Sequence, residues 1–181
     1  MSLLTIAQQQ AIKPISPNWA AKVKITGGVT NFDQLEQEIE ESKLSDLLGI
    51  ALFQDVQDNP TTAPNLILLD GGSFTDCNSN VVKFKGLRFI IAYMVYPDYI
   101  DISNYDDTYT GMVQKNRQET TTISTGDKKR MRDRTIEIAL NEFALIKDFL
   151  NENSKDYPLW ICTESKSVYK PKFTSIRKTI R

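Results

Sequence analysis

Four aspartates form the densest group of metal-binding side chains in the sequence. Asp98, Asp101, Asp106 and Asp107 lie within ten residues, and carboxylate oxygens are the ligands that Ca²⁺ and Mg²⁺ prefer. An EF-hand loop needs ligands at alternating positions and a terminal Glu, which this spacing does not supply. The pattern favours a solvated helix end and loop over a metal site. Whether Asp106 and Asp107 contact an ion or Arg117 of a neighbouring copy stays open.

The sequence offers few side chains for other kinds of catalysis. The chain contains no histidine, which excludes Ser–His–Asp and Cys–His catalysis and removes the commonest metal ligand. Gly71 and Gly72 belong to no phosphate-binding motif and are typical of a helix stop. Cys77 and Cys162 form no CxxC pair and favour two buried thiols in a reducing compartment, with a single disulfide left open. We predict no enzymatic activity, no catalytic or metal-binding residue and no cofactor.

Charge is distributed unevenly along a chain whose net charge is only −1. Residues 31–58 carry eight carboxylates and one lysine, a net −7, whereas residues 164–181 carry six cations and one carboxylate, a net +5. Two unrelated solvated faces would explain this, and so would a basic tail that reaches an acidic face of a neighbouring copy in a ring. Binding of the tail to nucleic acid and addition of residues 172–176 as a strand to a partner sheet are further alternatives.

The elements that position these residues are predicted to be mainly helical. Apolar residues at near-helical spacing predict two helices within 31–57, separated at Gly49, and a short helix over 61–70. Residues 74–84 predict a small hairpin. The apolar residues 85–96 fit either a buried strand or a buried helix, and their length favours the helix, which Pro97 ends or kinks. Ser124 with Asp127 predicts a capping box that starts a long helix ending near residues 151–154. The apolar residues 157–160 are expected to fold back over the end of that helix.

Three segments lie outside this helical core. Residues 1–30 are predicted to form an extended N-terminal arm with a short strand near 21–26, residues 104–125 a long polar loop, and residues 163–181 a basic C-terminal tail. With 181 residues we expect one domain over 31–162: a mainly α, small helical bundle of four to five helices with a minor β-hairpin and extended N- and C-terminal arms. The N-terminus does not resemble a signal peptide, and the longest apolar run, eight residues, is too short to span a membrane.

An ordered set of motifs resembles the head–tail connector (adaptor) proteins of tailed phages, in particular those of phages from Bacteroidetes and the crAss-like group. The resemblance covers roughly residues 31–162. It is carried by Leu47-Leu48-Gly49 with Leu52-Phe53, Lys85-Gly86-Leu87-Arg88 with Ile91-Ala92-Tyr93, Tyr96 and Tyr99, Asp107-Thr108-Tyr109-Thr110-Gly111-Met112-Val113-Gln114-Lys115, Phe149-Leu150-Asn151 with Asn153, and Tyr157-Pro158-Leu159-Trp160.

This resemblance implies a structural subunit that forms a ring, commonly dodecameric, beneath the portal of the virion. Such a ring extends the channel for genomic DNA without binding it specifically, and docks the next neck or tail protein. It implies assembly in the host cytoplasm and no catalysis, cofactor or membrane contact. A stopper, tail-completion or tail-terminator protein is the alternative, and a nucleic-acid-binding module a more distant one. The expected partner-interface residues are Thr108, Tyr109, Thr110, Gly111, Met112, Val113, Lys115, Arg117, Lys170, Lys172, Phe173 and Arg177.

Overall fold

A computed structural model describes residues 2–22, 30–76, 78–102, 105–108, 111–114 and 124–161 of the chain. This part is mainly helical, as predicted, and includes two antiparallel β-hairpins. The helices are α1 (Ile6–Ile12), α2 (Pro17–Ala20), α3 (Asn31–Ile39), α4 (Ser45–Leu48), α5 (Ile50–Asp58), α6 (Ala63–Asp70), α7 (Leu87–Ile102) and α8 (Thr125–Glu152), with a π-helical turn (Glu40–Leu44) joining α3 to α4. The strands are β1 (Gly72–Thr75), β2 (Val81–Phe84), β3 (Tyr105–Thr108) and β4 (Gly111–Gln114).

Helix α7 is the centre of the core and confirms the predicted buried helix. Helices α1, α3, α6 and α8 all pack on it, which explains why it is apolar around its circumference. The helix continues past Pro97, which is itself buried, to Ile102. Pro97 therefore does not end it, although proline removes one helical hydrogen bond. The other buried residues of α7 are Leu87, Phe89, Ile90, Ile91, Ala92, Met94 and Val95.

The segment 30–58 forms the predicted pair of helical stretches. The Thr30 hydroxyl accepts a hydrogen bond from the Asp33 backbone N–H (3.1 Å) and caps α3. The helical path continues through the π-helical turn to Leu48 and breaks at Gly49, whose φ of +79° suits glycine. Helix α5 then runs to Asp58, so the predicted break at Gly49 is confirmed.

The predicted hairpin also forms, with β1 and β2 paired from Gly72↔Phe84 to Thr75↔Val81. It packs on α8 through a group of aromatic rings in which Phe84 and Phe149 have centroids 4.6 Å apart. Gly86 lies where the chain enters α7, with a φ of +84° and the Leu69 carbonyl so near that an added Cβ would lie 2.3 Å from it. This close approach fixes the hairpin against the end of α6.

The start and end of α8 follow the prediction closely. The Ser124 hydroxyl accepts a hydrogen bond from the Asp127 backbone N–H (3.1 Å), and the helix ends at Glu152. Residues 157–160 then fold back as expected. The Tyr157 hydroxyl donates to the Pro64 carbonyl (2.6 Å), and Trp160 Nε1 donates to Asn151 Oδ1 (2.8 Å).

The N-terminal arm differs from the extended conformation that we predicted, because it contains α1 and α2. A capping box between Thr5 and Gln8 starts α1, and Pro17 occupies the first position of α2. Seven- and four-residue helices are too short to be stable alone, and they form here because the arm is docked. Its buried apolar residues join the main core: Leu3, Leu4, Ile15, Trp19 and Ala20. Most of the strand predicted near 21–26 lies outside the described residues.

The long loop predicted over 104–125 is corrected in part, since β3 and β4 lie within it. They pair in antiparallel register from Tyr105↔Gln114 to Thr108↔Gly111. The Tyr, Thr, Met and Val residues of this stretch have the high β propensity that a hairpin needs, and its polarity concealed that signal. The C-terminal tail 163–181 and both cysteines lie outside the part of the chain that the structure describes.

Candidate assembly interface

Helices α7 and α8 form an antiparallel pair whose two ends are marked by polar contacts. At the start of α7, the Lys85 backbone N–H donates to Glu142 Oε1. At its end, Arg132 Nη1 pairs with Asp101 Oδ2 at 3.0 Å. Because Arg132 lies opposite the last turn of α7, the seven α8 residues before it extend beyond that turn, by about 10 Å at 1.5 Å per residue.

The projecting residues and the three that follow them are strongly basic and mostly exposed. We call residues 125–134 the basic end of α8: five cations and two carboxylates give it a net charge of +3. Arg130 pairs with Asp127 and Arg132 with Asp101. The three remaining cations form no ion pair with any residue that the structure describes; they are Lys128, Lys129 and Arg134.

The hairpin β3–β4 follows the end of α7 and precedes α8 in the chain. Its two strands pair with each other and with no other described strand, so within the described part of the chain neither outer edge has a partner strand. Of the predicted interface residues, this hairpin brings together Thr108, Gly111, Met112 and Val113. The others lie outside the described residues: Tyr109, Thr110, Lys115, Arg117, Lys170, Lys172, Phe173 and Arg177.

The aspartates singled out in the sequence serve as ion-pair partners where their side chains are described. Asp98 Oδ2 lies 2.9 Å from Lys43 Nζ of the π-helical turn, and Asp101 pairs with Arg132. Asp106 and Asp107 belong to β3. Within the described ranges no three acidic or cysteine side chains are grouped as a metal site would require. No described helix combines the length and apolar character needed to cross a membrane.

The segment 31–48 presents a second charged surface. Four exposed carboxylates and the half-exposed Lys43 give its outer side a net charge of −3, and we call this surface the acidic face. Gln34 donates to Glu38 (2.9 Å) and Gln37 donates to Glu41 (2.7 Å), which holds both carboxylates along the helix. The exposed carboxylates of the acidic face are Asp33, Glu38, Glu41 and Asp46.

The inner side of the same segment carries two buried carboxyl groups that our sequence reasoning missed. Glu36 and Glu40 are only 1% and 2% exposed. Glu40 Oε1 accepts the backbone N–H of Leu3 (2.8 Å), and Glu36 Oε1 accepts that of Leu4 (3.1 Å). The pair therefore holds the N-terminal arm in place. Their spacing of four residues, in register with the buried Phe32, is the signal that could have revealed it.

One member of this carboxyl pair, Glu40, has a strongly perturbed titration. Burial raises the pKa of Glu40 to about 9, and the hydrogen bond and negative charge of Glu36 act in the same direction. The hydrogen bonds that Leu3 and Gln57 donate to Glu40 oppose this rise. A buried carboxyl with a raised pKa beside a second carboxyl can take part in acid–base catalysis, but a substrate must reach the pair. Both are shielded by the arm, and neither lines either of two clefts on the described surface.

Two open clefts lie on the described surface. One, of about 100 Å³, lies between α3 and the end of α7 and is lined by Trp19, Asn31, Gln34, Leu35, Glu38 and Ile102. The other, of about 300 Å³, lies between α1 and the start of α7 and is lined by Gln8, Ala11, Ile12, Leu69, Asp70, Lys85, Arg88 and Phe89. The first is well below the several hundred cubic ångströms typical of small-molecule sites, and is large enough for one side chain.

Comparison with known proteins identifies a family without assigning an activity. A family model described as a family of unknown function, DUF6712, matches residues 44–170, which is more than half of the chain. The match covers α4–α8 and both hairpins, and it leaves out the arm and α3. No curated protein and no solved structure matches the chain. The chain belongs to the family DUF6712.

Proposed function

We propose that this member of DUF6712 is a structural virion protein, an adaptor subunit of a phage head–tail connector. In this role it assembles with copies of itself into a ring beneath the portal, extends the channel for genomic DNA and docks the next neck or tail protein. The role requires surfaces that bind other chains and no catalytic centre. It places the protein in the neck of the virion after assembly in the host cytoplasm.

The observation that carries this proposal is the hairpin β3–β4, whose two outer edges pair with no other described strand. An isolated two-stranded hairpin is marginally stable in water, and an open edge can accept a strand from another chain. The hairpin contains most of the Asp107–Lys115 stretch that resembles the connector adaptors. Pairing of this hairpin with a neighbour or with the portal would stabilise it and give the stretch its function.

The test is the native mass of the purified protein, alone and with the portal encoded in the same genome. We expect a large complex of defined stoichiometry with the portal. A variant in which a Gly-Ser linker of equal length replaces residues 105–114 should keep its helical circular dichroism and lose this complex. A matched control replaces residues 78–80, in the turn of the other hairpin, and should assemble normally.

Other outcomes overturn the proposal in distinguishable ways. A protein that ignores the portal and binds a later neck or tail protein would be a stopper, completion or terminator protein. A protein that binds DNA with an affinity falling steeply with salt would be a nucleic-acid-binding module, because phosphate contacts release counterions. The adaptor role predicts only weak DNA binding.

A further inference from the structure

The two charged surfaces of the protein lie on different segments, of which α3 and α8 both pack on α7. The basic end of α8 carries +3 and the acidic face carries −3, so each surface matches the other in magnitude and opposes it in sign. Lys128, Lys129 and Arg134 have no ion-pair partner in the described part of the chain, and neither do Glu38 and Glu41. Both surfaces therefore present charges for which the described part of the same copy offers no counterion.

An apolar feature accompanies each charged surface. On the basic end of α8, Met131 is 38% exposed and has cationic residues as its helical neighbours. Beside the acidic face lies the cleft of about 100 Å³, with Trp19, Leu35 and the 46% exposed Ile102 among its lining residues and Glu38 at its edge. This cleft has the size for a single unbranched side chain, and its acidic surroundings favour one that has cations around it.

We propose that the basic end of α8 of one copy docks on the acidic face of a second copy, with Met131 entering the cleft between α3 and the end of α7. The inference rests on the proposed function only in giving the contact a place in a ring. Because the two surfaces differ, the contact is heterologous. Repetition of such a contact from copy to copy generates a ring when the rotation closes.

The charges favour a second copy over nucleic acid as the occupant. Asp101, Asp127 and Asp133 are interspersed with the cations of the basic end and would repel phosphate, whereas in the proposed contact they lie at a mixed-charge boundary. A nucleic acid would also leave the acidic face without a partner. Electrostatic complementarity of this kind fixes orientation and suppresses wrong partners.

The experiment uses charge reversal on each surface of the full-length chain. Lys129→Glu with Arg134→Glu changes the basic end from +3 to −1, and Glu38→Lys with Glu41→Lys changes the acidic face from −3 to +1. Lys, Arg and Glu have similar helix propensities, so both variants should fold. Each variant alone should associate about 100-fold more weakly than the wild type, because like charges then face each other.

Mixing provides the decisive measurement. An equimolar mixture of the two variants should recover association with alternating composition, since the unchanged basic end of one meets the unchanged acidic face of the other. The variant with all four substitutions should also associate, because both signs are exchanged. The matched control, Lys83→Glu with Lys155→Glu, reverses two exposed cations elsewhere and should behave as the wild type. Native mass spectrometry measures these five samples and the wild type, with and without the portal.

Chemical cross-linking between copies provides a second test, which also detects weak association. In an equal mixture of ¹⁴N- and ¹⁵N-labelled wild type, a carbodiimide should join Lys128 or Lys129 of one copy to Glu38 or Glu41 of another, as mixed-isotope peptides. Absence of these cross-links, or failure of the mixed variants to recover association, overturns the inference. If reversal changes nothing while the portal complex still forms, the inference fails and the proposed function stands. If the mixed variants recover association but no complex with the portal forms, the inference stands and the proposed function fails.

Discussion

Replacement of Glu40 by glutamine should stabilise the protein, and the gain should grow with pH. Folding raises the pKa of Glu40 from 4.5 to about 9. Between these values the folded state binds a proton that the unfolded state has released, so the stability linked to Glu40 is fully present below pH 4.5 and is lost as pH rises towards 9. The slope is at most about 1.4 kcal/mol per pH unit.

At neutral pH the expected effect is large compared with the stability of an ordinary domain. The unfolded chain releases the proton near pH 4.5, so at about pH 7 the loss is of the order of 3 kcal/mol, against typical total stabilities of roughly 5–15 kcal/mol. Glutamine reproduces the protonated form. Its carbonyl oxygen can accept from the Leu3 N–H and its amide can donate to Glu36, while the Gln57 amide, 3.3 Å from Glu40, can rotate to present its oxygen.

The assay is urea unfolding of the wild type and Glu40→Gln at about pH 5, 7 and 8.5, where the linkage predicts a widening gap between them. Other titrating groups change the free energy of unfolding of both proteins equally, so their effects cancel in the difference between the two. Hydrogen exchange at the Leu3 and Leu4 amides should report the arm, which stays protected at higher pH in the variant. Glu41→Gln, on the exposed next residue, is the control and should change stability by less than about 0.5 kcal/mol. A difference between the wild type and Glu40→Gln that is constant across pH would refute the reasoning.

Two further substitutions test contacts that fix the fold. Gly86→Ala should destabilise the protein by more than about 3 kcal/mol in urea unfolding, because a Cβ would lie 2.3 Å from the Leu69 carbonyl oxygen at a φ of +84°. The control is Gly126→Ala, which places a Cβ no closer than 3.9 Å to Ser124 Oγ. This control should be neutral or stabilising by up to about 1 kcal/mol. Tyr157→Phe should cost about 1 kcal/mol in thermal unfolding, because it removes the 2.6 Å hydrogen bond to the Pro64 carbonyl and keeps the ring packing on Phe149; an unchanged midpoint would contradict this assignment.

The elements that could be predicted from sequence are those whose signals are local. Ser124 with Asp127 marks the start of α8 because a side-chain oxygen must satisfy a free backbone N–H there. Gly49 marks the break between α4 and α5 because its backbone adopts a positive φ. The run before Pro97 was predicted as a buried helix from its length. Each of these judgements needed only neighbouring residues.

The elements that were missed depend on contacts between distant residues. Thr5 and Gln8 do form a capping box, but a seven-residue helix is unstable in isolation, so its presence could not be inferred before its docking partners were known. Glu36 and Glu40, which bind Leu3 and Leu4 just before α1, lie more than thirty residues away in the chain, and α7, on which α1 packs, lies farther still. The hairpin β3–β4 was missed because it is polar and because both of its edges lack a described partner strand.

Counting charges along the sequence overestimated the field that a partner would meet. Residues 31–58 have a net charge of −7, of which Asp55 and Asp58 lie beyond the segment 31–48, and the remaining −5 treats Glu36 and Glu40 as equal to Glu38 and Glu41. Burial separates them, since the first two hold the N-terminal arm and Glu40, with its pKa near 9, is protonated at neutral pH. A partner docking on segment 31–48 meets only the acidic face, at −3. That smaller charge equals in size the charge on the basic end of α8, so the match between the two surfaces emerges only once the buried pair is set aside.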